Sequence, residues 1–270
     1  MIRKFRPRAA VAALVIAGAV SACGSSSKAS SSGSATTTSA PALSGHLSVY
    51  AAASLTAAFE NLKKSLKTSA PGLQLDYNFA GSPALVTQIK QGAPADVFAS
   101  ADESNMQKLV DDGTVDTPQV FAHNLLEIAV APGNPKHIQT LADLEKPGVT
   151  LVLADESVPA GKYARQAFAK AGLPTPVPAS NELDVKSVLT KLELGDADAA
   201  VVYVSDVKTA GDKVLGIPIP TNQNVLATYP IAALKDSKNP SAAAAFVTEM
   251  VSGSGQQSLR AAGFLPPTSG

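Results

Sequence analysis

The chain has no tryptophan, one cysteine and three histidines, and aromatic residues make up only 5% of its 270 residues. With so few aromatic side chains, a binding site built on stacking against sugar rings or bases is disfavoured. The single cysteine excludes an intramolecular disulfide and a zinc site built from cysteines. The chain has 22 basic residues (Lys and Arg) and 22 acidic ones (Asp and Glu). Because basic residues are not in excess, the composition does not indicate a nucleic-acid partner.

The usual sequence signatures of catalysis are also missing. The chain has no Gly-x-Ser-x-Gly or His-Glu-x-x-His sequence, no P-loop lysine and no dinucleotide-binding glycine pattern after a strand. His46, His123 and His137 are scattered along the chain, and each is interpreted as a surface or strand-edge residue. Paired carboxylates stand beside turn glycines, where turn formation explains them. We therefore expect a protein that is not an enzyme and has no cofactor.

Residues 1–22 have the layout of an export signal. Four basic residues within the first eight positions precede an uncharged run that is too short and too rich in alanine for a membrane span. Small residues stand just before Cys23, and this arrangement resembles the lipobox of bacterial lipoproteins. In that resemblance Cys23 becomes the acylated N-terminus and anchors the protein by lipid to the outer face of the cell membrane.

Residues 23–45 are predicted to form a lipid-anchored flexible tether. After the cysteine they are almost wholly Ser, Ala, Thr and Gly, with too few apolar residues to offset the entropy of ordering. Loss of residues 1–22 removes four of the 22 basic groups and no acidic group, which leaves a net charge of about −4. About 225 residues follow from His46 onward, enough for one large or two small domains.

Beyond the tether, short apolar segments alternate with helical patterns, which indicates an α/β fold. Several segments are continuous apolar runs of the kind buried on both faces of a parallel sheet. The predicted strands are residues 46–50, 73–79, 95–100, 125–131, 150–154 and 199–204. Apolar residues between them recur at helical spacing and are assigned to the core, as for Leu55, Phe59, Leu62 and Leu66.

Four segments lead into predicted helices through small or uncharged residues, at 51–54, 80–83, 158–161 and 183–185. The first N–H groups of a helix lack internal acceptors, and the peptide dipoles place about half a positive charge there. A helix start can therefore bind an anion. Taken singly, each has a simpler explanation, with Ser54 and Ser82 as N-caps and Pro159 as a loop breaker. In a doubly wound sheet, however, such loops converge on one crevice.

Several of these segments resemble a known family. They are Ala51-Ala52-Ala53-Ser54-Leu55-Thr56, Phe79-Ala80-Gly81-Ser82, residues 92–102 with the sequence GAPADVFASAD, Val158-Pro159-Ala160-Gly161-Lys162-Tyr163-Ala164 and Val201-Val202-Tyr203-Val204-Ser205-Asp206. In this order they resemble the periplasmic molybdate-binding proteins of ABC importers. The resemblance implies the type II periplasmic-binding-protein fold, with a ligand cleft between two α/β lobes and two crossover segments. It implies a first lobe of residues 46–123 and 227–270 and a second lobe of residues 124–226.

The resemblance also implies five residues that bind the oxyanion, and it assigns the metal to the same five through the oxygens of molybdate only. Ser54 and Ser82 would contribute a hydroxyl and a main-chain N–H each, Ala160 and Val185 a main-chain N–H, and Tyr203 its phenol. Four of the five lie at the helix starts described above. Tyr203 enters from the resemblance alone, since a tyrosine that ends an apolar strand is ordinarily a packing residue.

A site of neutral donors suits molybdate or tungstate, which are fully deprotonated at neutral pH, whereas hydrogen phosphate keeps a proton and needs an acceptor. Asp155, Glu156 and Asp184 are therefore expected to point away from the anion, and Lys162 is interpreted as a solvated first-turn residue. We expect a monomer that delivers its ligand to a membrane permease and binds no nucleic acid. The alternatives are a binding protein for sulfate, thiosulfate or a small organic acid, and a secreted hydrolase that uses Ser54 or Ser82.

Overall fold

The computed structural model describes residues 43–267. The strands are β1 (Gly45–Ala52), β2 (Leu73–Ala80), β3 (Val97–Ala99), β4 (Gln119–Asn124), β5 (Leu126–Val130), β6 (Leu151–Ala154), β7 (Ser180–Glu182), β8 (Ala199–Tyr203), β9 (Leu215–Pro218) and β10 (Ala227–Ala233). The helices are α1 (Thr56–Ser69), α2 (Ser82–Lys90), α3 (Glu103–Asp111), α4 (Pro159–Lys170), α5 (Val185–Glu193), α6 (Val204–Ala210), α7 (Pro240–Ser252) and α8 (Gly255–Ala262), with short 3-10 helices at Ala53–Leu55, Leu141–Glu145 and Gly211–Lys213. The predicted signal peptide, Cys23 and almost all of the predicted tether lie outside the described residues.

The strands form two five-stranded mixed sheets. The first has the order β2-β1-β3-β10-β4, with β1 parallel to β2 and β3, and β10 antiparallel to β3 and β4. The second has the order β7-β6-β8-β5-β9, with β6 parallel to β7 and β8, and β5 antiparallel to β8 and β9. In the parallel part of each sheet the carboxyl ends of neighbouring strands meet at one edge. Both edges give rise to the loops that begin α1, α2, α4 and α5.

The helices pack on the sheets through the apolar stripes that the sequence indicates. Leu55, Phe59, Leu62 and Leu66 are all buried, and α1 packs against β2 and α8. In the second sheet α4 and α5 lie against β6 and β8. Burial of each stripe removes apolar surface from water and fixes the helix on its sheet. Within residues 43–267 the structure shows no helix that is both long and apolar enough to cross a membrane.

The chain passes between the sheets at two places. The strand β4 ends at Asn124 and β5 begins at Leu126, while β9 ends at Pro218 and β10 begins at Ala227. Asn224 ties the two crossings together, because its side-chain oxygen accepts from Leu126 N at 3.0 Å and its amide donates to Leu126 O at 2.8 Å. The first sheet thus contains β1 to β4 and β10, and the second contains β5 to β9. The lobes at residues 46–123 with 227–270 and at 124–226 stay a prediction.

All six predicted strands are present, with ends within two residues of the predicted ones. The sequence prediction omits β4, β7, β9 and β10. The helix start at Ser82 also differs from the prediction, because Gly81 is the N-cap residue and Ser82 is the first residue of α2. Ser54 lies inside the 3-10 helix that precedes α1, and its side chain does not cap that helix. The N-cap explanation is therefore wrong for both serines.

Candidate anion-binding site

One small cavity brings together all five residues singled out in the sequence. It encloses about 200 Å³ of space between atoms, including a part open to solvent. The lining residues approach one another so closely that the cavity has room for a small ion and not for a drug-sized ligand. The residues that line it are Ala52, Ala53, Ser54, Ala80, Gly81, Ser82, Ala101, Val158, Pro159, Ala160, Val185 and Tyr203.

The start of α2 supplies two donors from Ser82, which is 1% exposed. The Ser82 hydroxyl oxygen accepts the N–H of Ala101 at 3.1 Å, so its own proton is available to the cavity. Leu85 is the first residue of α2 whose N–H donates to a carbonyl one turn earlier, and its acceptor is Gly81 O at 3.1 Å. The N–H of Ser82 precedes this hydrogen bond and has no acceptor within the helix.

The starts of α4 and α5 contribute main-chain donors from the second sheet. In α4, Lys162 is the first residue whose N–H bonds back within the helix, to Val158 O at 2.9 Å. In α5, the Asp184 carboxylate caps the helix by accepting from Ser187 N at 2.9 Å. Ala160 and Val185 line the cavity, and their N–H groups come before these bonds and have no acceptor within their helices.

Two glycines allow the close approach of backbone around the cavity. A Cβ on Gly81 would lie 2.2 Å from the carbonyl oxygen of Leu183, which belongs to the opposite side of the cleft. A Cβ on Gly161 would lie 2.1 Å from Asp155 O and 2.3 Å from Ala154 O. Only glycine fits at either position. Gly81 lets the two sides of the cleft approach each other at Leu183, and Gly161 lets the first turn of α4 pack against the end of β6.

Ser54 and Tyr229 form a buried hydroxyl pair beside the cavity. The Ser54 Oγ lies 3.0 Å from the Tyr229 hydroxyl, and both side chains are buried. The sequence prediction omits Tyr229, which is fully buried in β10 and packs edge-on against Phe121 and Phe264. Its only sequence signal is the Tyr229-Pro230 pair, since a proline inside an apolar run marks an irregular strand position.

Tyr203 ends β8 at the cavity and is 1% exposed. Its hydroxyl oxygen is one of two buried side-chain polar atoms among the described residues that lack a hydrogen-bond partner; the other is Nδ1 of His123. Burial raises the pKa of Tyr203 well above its ordinary value, so the phenol keeps its proton. A buried donor without a protein acceptor is free to hydrogen-bond a ligand.

A buried carboxyl lies directly behind Tyr203. Asp206 is 1% exposed and its Oδ2 accepts the N–H of Tyr203 at 3.1 Å. Burial raises the pKa of Asp206 to about 7. Near neutral pH the carboxyl is thus only partly charged, which limits its repulsion of an anion in the cavity.

The other charged residues near the site have partners elsewhere. Asp184 accepts from the N–H and hydroxyl of Ser187, and Asp155 accepts from the N–H and hydroxyl of Ser157, at distances between 2.7 and 3.0 Å. The sequence predicts that Asp155, Glu156 and Asp184 all point away from the anion, and none of the three lines the cavity. The interpretation of Lys162 as a solvated residue is wrong.

Lys162 instead forms an ion pair across the cleft. Its Nζ lies 2.9 Å from Asp102 Oδ2 and 2.8 Å from Ser104 Oγ, at the start of α3. Burial on its own raises the pKa of Asp102, but hydrogen bonds from Ser104, Lys162 and Asn105 hold that pKa below its ordinary value. The Asp102 carboxylate therefore stays ionised at neutral pH, and its contact with Lys162 joins the two sides of the cleft.

The cavity as a whole offers hydrogen-bond donors and no charged side chain. Its lining consists of small residues, valine, proline, two serines and one tyrosine. No histidine lines it in the part of the chain that the structure describes, so neither serine has a general base there. Among residues 43–267 there is also no cluster of His, Cys, Asp and Glu able to hold a metal ion. Such a site suits a small anion that needs only donors.

The chain matches the model of the family described as bacterial extracellular solute-binding protein over residues 47–265. It is 40% identical over 262 residues to a protein named molybdate-binding protein ModA of Mycobacterium tuberculosis, which covers 95% of this chain and 96% of that protein. This chain belongs to the ModA family. That family lies within the extracellular solute-binding proteins.

Solved structures bear out the fold. The substrate-binding domain of a putative molybdenum ABC transporter from Clostridium difficile is 31% identical to this ModA-family chain, with a TM-score of 0.63, and covers 82% of this chain and 98% of that one. The sulfate-binding protein SubI from Mycobacterium tuberculosis has a TM-score of 0.74 at 20% identity and covers 82% and 86%. The SubI match shows the fold alone. The predicted two-lobed α/β fold of a periplasmic binding protein is confirmed, and the ligand roles of the five cavity residues stay predictions.

Proposed function

We propose that the protein captures molybdate, and tungstate by the same contacts, and delivers it to the membrane permease of an ABC importer. The observation that carries this proposal is the convergence of Ser54, Ser82, Ala160, Val185 and Tyr203 on one small cavity without a charged side chain. The ModA relative supports molybdate as the ligand. A fully deprotonated tetrahedral dianion fits donors of this kind, because it has no proton to donate in return.

The number of donors is compatible with tight binding. The five residues would offer about seven donors, each contributing roughly 1.5–3 kcal/mol with a charged acceptor, or about 10–20 kcal/mol before opposing costs. Immobilising the ion, desolvating it and closing the cleft reduce this gain. A net free energy near −12 kcal/mol, which corresponds to a nanomolar Kd, lies within reach.

The attachment to the membrane belongs to the same proposal. Cys23 would carry the lipid after removal of residues 1–22, and the serine-rich segment would let a monomeric binding domain reach the permease. The closed form, with ligand between the lobes, is the state that the permease would recognise. The protein would act by binding and release, without catalysis.

Titration calorimetry of the purified protein tests the ligand. Molybdate and tungstate are expected to bind with sub-micromolar Kd, and sulfate and phosphate to bind at least 100-fold more weakly. Binding of sulfate without any binding of molybdate would establish the protein as a binder of another anion. An assay with generic esters tests the hydrolase alternative. Ester hydrolysis by the wild-type protein that is lost in Ser54→Ala would count against the proposed binding function.

A further inference from the structure

We propose that Tyr229 sets the hydrogen-bond polarity of the anion site by donating its phenol proton to Ser54, so that Ser54 donates to the bound oxyanion. The inference rests on the proposed oxyanion function and deepens it. Tyr229 does not line the cavity but lies directly behind Ser54, with the two hydroxyl oxygens 3.0 Å apart. It would therefore act as a positioning residue that controls which ligands the site accepts.

The two serines of the site differ in what stands behind them. Ser82 Oγ accepts from the backbone N–H of Ala101, which is a fixed donor. The proton of Ser82 is thus left for the cavity. Ser54 Oγ faces a rotatable hydroxyl, so the hydrogen bond between Ser54 and Tyr229 can run in either direction. The direction of this hydrogen bond determines whether Ser54 presents a proton or a lone pair to the ligand.

The surroundings of Tyr229 favour one direction. Its ring is fully buried and fixed by edge-on contacts with Phe121, Tyr203 and Phe264. By distance and angle, Ser54 Oγ is the one hydrogen-bond partner of its hydroxyl among the described residues. The Tyr203 hydroxyl and the Asn124 amide nitrogen also lie near it, but the Tyr203 hydroxyl is not placed to form a hydrogen bond and an amide nitrogen only donates. If Ser54 donated to Tyr229, the phenol proton would be buried without a well-placed acceptor, which is costly. If Tyr229 donates, both protons find acceptors once an oxyanion is bound.

The consequence is selection by ligand protonation. Molybdate and tungstate present only acceptors, so the proton of Ser54 stabilises them. Hydrogen phosphate carries a proton of its own, which needs an acceptor oxygen in the site. With the Ser54 proton directed at the ligand, that acceptor is missing. Removal of the Tyr229 hydroxyl frees Ser54 to rotate and to present a lone pair to the ligand instead.

The test is Tyr229→Phe, with Kd values for molybdate and tungstate measured by titration calorimetry at pH 8 and for phosphate by competition. Molybdate and tungstate are expected to weaken together by about tenfold, the size of one net hydrogen bond. Phosphate is expected to bind as well as to the wild type or more tightly. The ratio of phosphate Kd to molybdate Kd therefore falls at least tenfold.

Tyr77→Phe is the matched control, because it removes a half-buried phenol whose hydroxyl donates to Phe59 O at 3.1 Å, away from the cavity. It should leave all three Kd values unchanged. Equal weakening of all three anions by Tyr229→Phe would reduce Tyr229 to a packing residue and overturn the inference while leaving the proposed function intact. A wild-type protein that binds no molybdate would overturn both.

Neutron diffraction from crystals of the wild-type protein with molybdate tests the same point without a variant, and decides it if Tyr229→Phe does not fold. The deuterium on the Tyr229 oxygen is expected to point at Ser54 Oγ, and that on Ser54 to point at a molybdate oxygen. The reverse orientation of the Ser54–Tyr229 hydrogen bond would overturn the inference.

Discussion

Lys162→Met is expected to weaken molybdate binding although Lys162 does not line the cavity. Its Nζ lies 2.9 Å from Asp102 Oδ2 and joins the first turn of α4 to the start of α3. The Asp102 side chain is 1% exposed in this closed cleft. Opening of the cleft would break the pair and return the carboxylate to water. The ion pair would therefore stabilise the closed state, to which we expect the ligand to bind, relative to the open state.

The size of the effect follows from the exposure of the two partners. Removing one partner of a fully buried ion pair costs about 3–5 kcal/mol, and exposed pairs contribute only about 0–1 kcal/mol. Asp102 is buried but the Lys162 side chain is 35% exposed, so an intermediate cost of about 1–2 kcal/mol is expected. Because the apparent Kd varies inversely with the closed fraction, molybdate affinity should fall about 5- to 30-fold.

The assay is titration calorimetry with molybdate, and Lys191→Met is the matched control. Lys191 pairs with Glu182 at 2.6 Å and its side chain is 36% exposed, but both residues belong to the second sheet's side of the cleft. Loss of that pair cannot change the balance between open and closed states directly. Equal Kd values for the two variants, or an unchanged Kd for Lys162→Met, would refute the role of the ion pair in closure.

Three further predictions address the donors, the fit of the cleft and the pH dependence. Ser82→Ala should raise the molybdate Kd by about tenfold or more through the loss of one hydrogen bond to a charged ligand, whereas His123→Ala should not change it. Gly81→Ala should raise that Kd by over 100-fold, because the new Cβ would meet Leu183 O at 2.2 Å, and circular dichroism should show the unliganded protein still folded. Burial raises the pKa of Asp206 in the folded state to about 7. Between about pH 4 and 7 the folded state therefore binds more protons than the unfolded state, so the stability of the wild-type protein should fall as the pH rises through this range. Denaturant unfolding should show that slope reduced in Asp206→Asn; an equal slope in both proteins contradicts the assignment.

The sequence predicts those strands that are continuous apolar runs, and the omitted ones have physical reasons. The β7 segment Ser180–Glu182 is polar and half-exposed, so it carries no apolar signal. In β10, Pro230 interrupts the run and argues against a strand. The structure accommodates this proline with a shift of register between Tyr229 and Pro230 in the pairing with β4. The pairing of β7 with β6 and that of β10 with β4 cannot be recognised from either segment alone, because each depends on the neighbouring strand.

For the site, the sequence indicates the helix starts but not what stands behind them. Local rules favour Ser54 and Ser82 as N-caps, yet both hydroxyls bond to partners distant in the chain. Tyr229 is 175 positions from Ser54, and Lys162 is 60 positions from Asp102. Such contacts depend on how the two sheets are placed, which composition and periodicity do not specify. The polarity of the site and the closure of the cleft are for this reason properties of the tertiary structure.

The helix α4 links these two properties. Its first turn carries Ala160, the proposed donor that lines the cavity, and, two residues later, Lys162. Between them Gly161 contacts the carbonyls of Ala154 and Asp155 so closely that no side chain fits, which holds this turn on the end of β6. An oxyanion bound to Ala160 N–H would therefore contact the same rigid turn that presents Lys162 to Asp102. The cavity itself has no charged side chain, and the Lys162–Asp102 ion pair beside it would favour the closed cleft without presenting a net charge to the ligand.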